Sequence, residues 1–215
     1  MGNNITELVF ILDRSGSMAG LEQDTIGGFN ALLAKQRNTP GQCWLSTVLF
    51  DNDCQVLHDR VPLDQVQPLT EDDYSVGGCT ALMDALGGAI HHIGNIHKYA
   101  RKEDVPERTL FVITTDGMEN ASRRYSSDRV KAMVQRQKAK YGWEFLFLAA
   151  NIDAVETAKR YGIDRNRAVN YQADGQGTDV LYDAVSDVVS NLRSKRCIQE
   201  NWSASIQMDN RRKRK

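Results

Sequence analysis

The chain has 215 residues, 41% of them hydrophobic and 26% charged, with 27 basic against 28 acidic side chains and a formal net charge of -1. With a mean hydropathy of -0.48, this is the composition of a globular protein with a substantial core; it excludes a disordered or fibrous chain and gives no overall drive towards nucleic acid or an anionic membrane. Apolar runs such as 8–12 and 145–150 fall far short of the roughly 18 residues of a membrane span, and residues 1–7 lack the basic flank and apolar stretch of a secretory signal, so the cytoplasm is the expected compartment.

Residues 8–12, Leu-Val-Phe-Ile-Leu, form a continuous branched and aromatic run that stops at Asp13, as expected of a parallel strand buried on both faces. Beyond Ser15-Gly16-Ser17, apolar residues spaced by three and four from Leu21 through Ile26, Phe29, Leu32 and Leu33 predict a helix. Pro40-Gly41 breaks the chain. Residues 44–50 and 54–58 read as strands joined at Asp51-Asn52-Asp53, a connection short enough for an antiparallel hairpin. A helical stripe of Leu82, Ala85, Leu86, Ile90, Ile93 and Ile96 follows over 81–99, despite Gly87 and Gly88. Next come a buried strand at 110–113 running to Asp116, a polar surface helix at 128–140 and another buried strand at 145–149. Helices are expected at 154–161 and 180–192, with a short strand near 168–171 between them. This alternation predicts an α/β fold with a mainly parallel sheet and helices on both faces. The expected organisation is one domain over 1–200 and a tail over 201–215, whose basic run Arg211, Arg212, Lys213, Arg214 and Lys215 reads as solvated. Cys43, Cys54, Cys79 and Cys197 lack C-x-x-C spacing and read as free thiols. Met1, Gly2 and Thr6 fit the loose myristoylation template, a short pattern beside a strand that begins almost at once.

Asp13 and Asp116 stand immediately after the two most hydrophobic strands, at the ends where open α/β sheets place their ligands. If those strands are neighbours where the strand order reverses, both carboxylates face one crevice. Ser15 and Ser17 add hydroxyls on alternate residues of a tight turn that Gly16 permits, and Thr80 brings a third from another loop. A donor set made only of oxygen, with few formal charges and room for water, suits a hard cation such as Mg²⁺ or Mn²⁺; zinc would want His or Cys. Such an ion stays open to an acidic group from another molecule. Taken singly, Asp13, Ser17 and Asp116 also suit helix caps and turns. Glu119 and Asn120 read as turn formers at the rim. His91, His92 and His97 do not make the i, i+4 pair that a helix needs to ligate a metal and read as solvent-facing or packed, and Trp143 reads as core.

Together, Asp13-x-Ser15-x-Ser17, Thr80 within Gly77-Gly78-Cys79-Thr80-Ala81-Leu82, and Asp116 within Thr114-Thr115-Asp116-Gly117 resemble the three pieces of the metal ion-dependent adhesion site (MIDAS) of von Willebrand factor type A (vWA) domains, in the same order and strand context. The resemblance extends from Ile5 to about the end of the last predicted helix. It implies a Rossmann-like, three-layer α/β fold with a six-stranded, mainly parallel sheet and one antiparallel edge strand. It also implies Ser15, Ser17 and Thr80 as hydroxyl ligands of Mg²⁺, with Mn²⁺ as the alternative, and Asp13 and Asp116 acting directly or through water. The function it implies is non-enzymatic: capture of an Asp or Glu of a partner protein, in a scaffold or adaptor resembling cytoplasmic bacterial or phage single-domain members, with the last helix able to couple to the metal loop. Two other readings fit these residues less well. A Mg²⁺-dependent phosphohydrolase or phosphotransferase similar to haloacid dehalogenase-like enzymes would want an aspartate where Ser15 stands, and association with nucleic acid would rest on the 211–215 tail alone. A dinucleotide enzyme lacks its G-x-G-x-x-G around Gly16.

Overall fold

The structure, a computed structural model, describes residues 4–194 and 197–212. Strands β1 (Ile5–Asp13), β2 (Gln42–Phe50), β3 (Cys54–Pro62), β4 (Arg108–Thr115), β5 (Glu144–Ala149) and β6 (Ala168–Asn170) form one sheet in the order β3-β2-β1-β4-β5-β6. All neighbours are parallel except the β2/β3 hairpin, which places the antiparallel strand at one edge. Helices α1 (Glu22–Arg37), α2 (Leu82–Tyr99), α3 (Ser127–Tyr141), α4 (Ala154–Arg160), α5 (Gly175–Arg193) and α6 (Ala204–Arg212) cover it. This is the α/β architecture, with its antiparallel edge, that the sequence predicts.

Strand alternation builds two cores, because successive side chains point to opposite faces. Leu8, Phe10 and Leu12 of β1 pack with Phe29 and Leu33 of α1 and Leu181 and Val185 of α5. Val9 and Ile11 instead pack with Leu86 and Ile90 of α2 and Val134 of α3, in a core that also holds Trp143. Every residue of β1 is buried, which is why its stretch 8–12 reads as an unbroken apolar run. The α1–α5 contact is close enough to require a glycine: a Cβ on Gly28 would lie 2.3 Å from the Tyr182 ring.

The structure departs from the sequence reading in three elements. β3 continues to Pro62, its second half accommodated by Arg60 at φ 50°. α5 begins five residues before the predicted start at 180, because the Asp174 carboxylate accepts a 2.7 Å bond from the Gly177 amide and caps a first turn with little apolar content. α6 lies within the stretch that the sequence reads as a tail. It packs through Ile206, 1% exposed, while Trp202 just before it donates Nε1–H to the Asn166 carbonyl at 2.8 Å. Arg211 and Arg212 close this helix; Lys213, Arg214 and Lys215 of the basic run, and Met1 and Gly2 of the myristoylation pattern, lie outside the described residues.

At the N-terminal end of β1, the fully buried Glu7 accepts from Arg60 Nε at 2.6 Å and pairs with His97 Nε2. His97 also meets the Trp143 ring edge-on. His91 and His92 are exposed, His92 beside Asp59 at 2.8 Å. The four cysteines are free thiols. Among the described residues no helix is long and apolar enough to cross a membrane.

Candidate metal centre

The strand order reverses between β1 and β4: the chain runs from β1 through α1 to β2 on one side, then returns to place β4 on the other. The crevice at such a point opens at the carboxyl ends of the strands. Asp13 is the last residue of β1, and Asp116 follows the last residue of β4. Both are buried, at 1% and 3% exposure.

The predicted residues come together there. The Asp13 carboxylate accepts from the Ser15 amide at 2.8 Å, which folds the turn back so that Ser15 Oγ and Ser17 Oγ lie 3.1 Å apart. Ser17 Oγ donates to Asp116 Oδ1 at 2.5 Å, joining the two loops. Thr80 arrives from the segment before α2. A Cβ on Gly117 would lie 3.0 Å from Ser17 Oγ, 3.1 Å from Thr80 Oγ1 and 4.0 Å from Ser15 Oγ, so three hydroxyls from two segments surround one point that glycine leaves open. Capping does not account for this cluster. α1 starts at Glu22 after Leu21, with no side-chain cap, and the Ser17 hydroxyl is committed to Asp116.

Several supporting residues escaped the sequence reading. Thr115, fully buried in β4, donates its hydroxyl to Asp13 Oδ2 at 2.5 Å. Tyr74, buried in the segment after β3, donates its hydroxyl to the Asp13 carbonyl. The Gly16 amide bonds to the Gly78 carbonyl, and the Gly77 amide to that of Arg14. Gly78 has φ +74°, and a Cβ there would lie 2.8 Å from Asn52 Nδ2, so that loop demands glycine. Thr115 left one sequence signal, a hydroxyl at the buried end of an apolar strand; the role of Tyr74 depends on a contact across 61 residues and left none.

Glu119 organises its own loop by accepting from nearby amides, and Asn120 holds Thr80. Asn120 Oδ1 accepts from the Thr80 amide at 2.9 Å, while the Thr80 carbonyl accepts from the amides of Asn120 and Ala121. The Glu119 carboxylate takes the amides of Met83, Ala121 and Ser122, and Asp84 takes those of Arg123, Arg124 and Tyr125. This fixed loop presents Met118, 74% exposed, beside Asp116.

Burial raises the pKa of Asp13 above its ordinary value, against the lowering effect of its bonds from Ser15 and Thr115, and the nearby Asp116 raises it further. Burial raises Asp116 as well, opposed by the bond from Ser17. Among the described residues neither carboxylate forms an ion pair with Lys, Arg or His. Two buried acids with hydroxyl neighbours and no cationic side chain are a donor set that fits a hard divalent ion. No group of three or more His, Cys, Asp or Glu is arranged for a metal among the described residues, so any ion here depends on Ser15, Ser17 and Thr80 to complete the set.

No protein-family model matches the sequence, and no curated protein matches it. Solved structures do. The vWF domain of the type V pili tip protein Mfa5 from Porphyromonas gingivalis aligns at a TM-score of 0.61 and 10% identity, covering 90% of this chain and 96% of that one. Proximal thread matrix protein 1 from the mussel byssus, in a structure with a zinc-occupied MIDAS motif, aligns at 0.58 and 14%, covering 86% of this chain. The chain has the vWA fold. The ArnB paralog VWA2 from Sulfolobus acidocaldarius shares this fold at a TM-score of 0.55 and 16% identity. This vWA fold spans 46% of the mussel protein's chain and 45% of the archaeal one, just under half of each.

Proposed function

We propose that this vWA fold is a metal-dependent protein-interaction module, with Asp13, Ser15, Ser17, Thr80 and Asp116 as a complete MIDAS. The observation that carries the reading is the convergence of three hydroxyls and two buried, cation-free carboxylates at the strand-order reversal. All-oxygen donors favour Mg²⁺, or Mn²⁺ in its place, over zinc. When bound, the ion supplies an electrophilic centre to which a partner's Asp or Glu can add. The chain's own residues do the rest: Ser15, Ser17 and Thr80 hold the ion without neutralising it, Thr115 orients Asp13, and the loop fixed by Glu119 and Asp84 sets out Met118 for an apolar contact beside the captured acid.

The reading is non-enzymatic, since Ser15 stands where a phosphohydrolase of this general layout needs a second acid. It places the protein in the cytoplasm, as a scaffold or adaptor of the bacterial or phage type, with residues 1–200 carrying capture and 201–215 as an accessory. The test is thermal unfolding of the wild type and Asp116→Ala in EDTA, Mg²⁺, Mn²⁺ and Ca²⁺. A ligand that binds only the native state adds about 2.7 kcal/mol at a hundred times its Kd. A rise in Tm with Mg²⁺ or Mn²⁺ in the wild type alone supports the reading; equal rises in both proteins overturn the site.

A further inference from the structure

At the opposite edge of the sheet from Asp13 and Asp116, where β2 begins and β3 ends, the surface opens into a cavity of about 390 Å³. Its lining includes Gln36, Cys43, Leu63 and Arg193, which are buried, with the more exposed Arg37 and Asp64 among the residues around them. Arg193, on the last turn of α5, is 6% exposed. Its Nη1 donates to the carbonyl of Gln36 and, at 3.2 Å, to Gln36 Oε1; its Nη2 donates to the carbonyls of Thr39 and Gly41 at 2.6 and 2.8 Å. Those four contacts fasten the end of α5 to the end of α1. The fifth donor, Nε–H, is buried and has no acceptor among the described residues.

The charge is as incomplete as the hydrogen bonding. Among the described residues Arg193 pairs with no carboxylate. Its neighbour Cys43 cannot serve as the counter-ion at neutral pH, because burial pushes that thiol up to about 12. Among the described residues Arg37 likewise donates only to carbonyls, those of Leu63 and Val66. Two guanidinium groups therefore face one acid, Asp64, around a cavity whose walls include Trp44, Pro62 and Leu63. A buried cation lacking both an anion and one acceptor is costly unless something supplies them. Arginine is also the side chain best shaped to bind oxyanions.

We propose that this cavity is a binding site for a small organic oxyanion, a carboxylate or phosphate on a compact apolar body, bonded by Arg37 and attracted by the unpaired charge of Arg193 behind it, with the body against Trp44 and Pro62. The site is independent of the metal centre and survives if that reading fails. The size and mixed lining are those of an ordinary small-ligand pocket.

The test is a titration of the full-length, ¹⁵N-labelled protein in EDTA with inorganic phosphate, acetate, phenyl phosphate and benzoate, following the Arg193 Nε–Hε resonance assigned through its side-chain connectivities. Saturable shifts are expected with phenyl phosphate or benzoate at lower concentration than with phosphate or acetate. Arg37→Ala should weaken binding about tenfold, as loss of one charged hydrogen bond does, Asp64→Asn should tighten it, and Asp116→Ala should leave it unchanged. Tighter binding of phenyl phosphate than benzoate identifies a phosphate ester, and the reverse an organic acid. No saturable shift with any of the four, or shifts matched by chloride at equal ionic strength or indifferent to Arg37→Ala and Asp64→Asn, would overturn the site.

Discussion

Asp13 shows how one residue is asked to do opposing things. Burial in the sheet edge makes its charge expensive, and the amide of Ser15 and hydroxyl of Thr115 offset only part of that cost. A carboxyl whose folded pKa is raised contributes stability below its unfolded value of 3.8 that is lost as pH rises through the folded value. At neutral pH without a cation, Asp13 is therefore a liability. Asp13→Asn keeps the Ser15 bond and removes the charge, so in EDTA its Tm should rise by about 2–4 °C, the size of a 1 kcal/mol change in a chain of this length. The same variant should lose its response to Mg²⁺ in calorimetry. Thr115 acts one step further out. By orienting Asp13 without touching an ion, it resembles the outer partners whose loss costs about 10–100-fold in metal affinity. Thr115→Val should weaken Mg²⁺ by that factor in isothermal titration and Thr115→Ser should restore it; unchanged affinity in Thr115→Val would show that Asp13 needs no second support.

The elements differ in how openly they declare themselves. β1 and β4 are read directly because both of their faces are buried, and α2 because Leu82, Leu86, Ile90 and Ile93 recur on one side. α6 has no such stripe: Ile206 is buried while Met208 is 73% exposed, and the helix is held by a few separated contacts. Asn210 receives a bond from Gln172 Nε2 and donates at 3.3 Å to the Asn170 carbonyl of β6, and Arg212 lies 3.5 Å from Asp174, the cap of α5. This short edge strand is thus covered by a helix that few apolar residues announce. Ile206→Ala should cost about 2–5 kcal/mol in urea unfolding, the range for a buried aliphatic truncation; a change near zero would mean that α6 is not part of the cooperative unit. The α1–α5 contact makes the reverse prediction. Gly28→Ala inserts a methyl into space held by the Tyr182 ring and should cost about 1–3 kcal/mol, whereas Gly27→Ala, whose Cβ would meet nothing within 4 Å, should not destabilise.

For the whole molecule, the acid side of the stability curve carries a contribution from β3. His58 is buried against the sheet with Nδ1 3.1 Å from Thr47 Oγ1, and burial lowers its pKa below 6.5, opposed by Asp73 and by the Gln67 backbone. The folded state disfavours protonated His58, so its contribution is present above pH 6.5 and is lost as pH falls below it. Between pH 7.5 and 5.5 the wild type should lose more stability than His58→Asn, compared in EDTA by denaturant unfolding; parallel losses would assign the acid sensitivity to other groups. The metal-free carboxylates act in the opposite direction, contributing more as pH falls, and that background is common to the wild type and His58→Asn.

The sequence by itself determined the alternation of strands and helices, the antiparallel hairpin, and the position of Asp13, Ser15, Ser17 and Asp116 where loops leave strands and of Thr80 where a helix begins, because periodicity and turn chemistry are local properties of the chain. It could place Asp13 and Asp116 in one crevice only on the condition that β1 and β4 are neighbours. Tertiary structure decided that adjacency, and with it everything that depends on contacts between distant segments: Thr115 and Tyr74 bracing Asp13, Asn120 fixing Thr80, Glu119 holding the start of α2, α6 closing over β6, and Arg193 buried against the end of α1 with a donor unused. None of these leaves a period or a spacing in the sequence, since each arises from which surfaces the sheet order brings together.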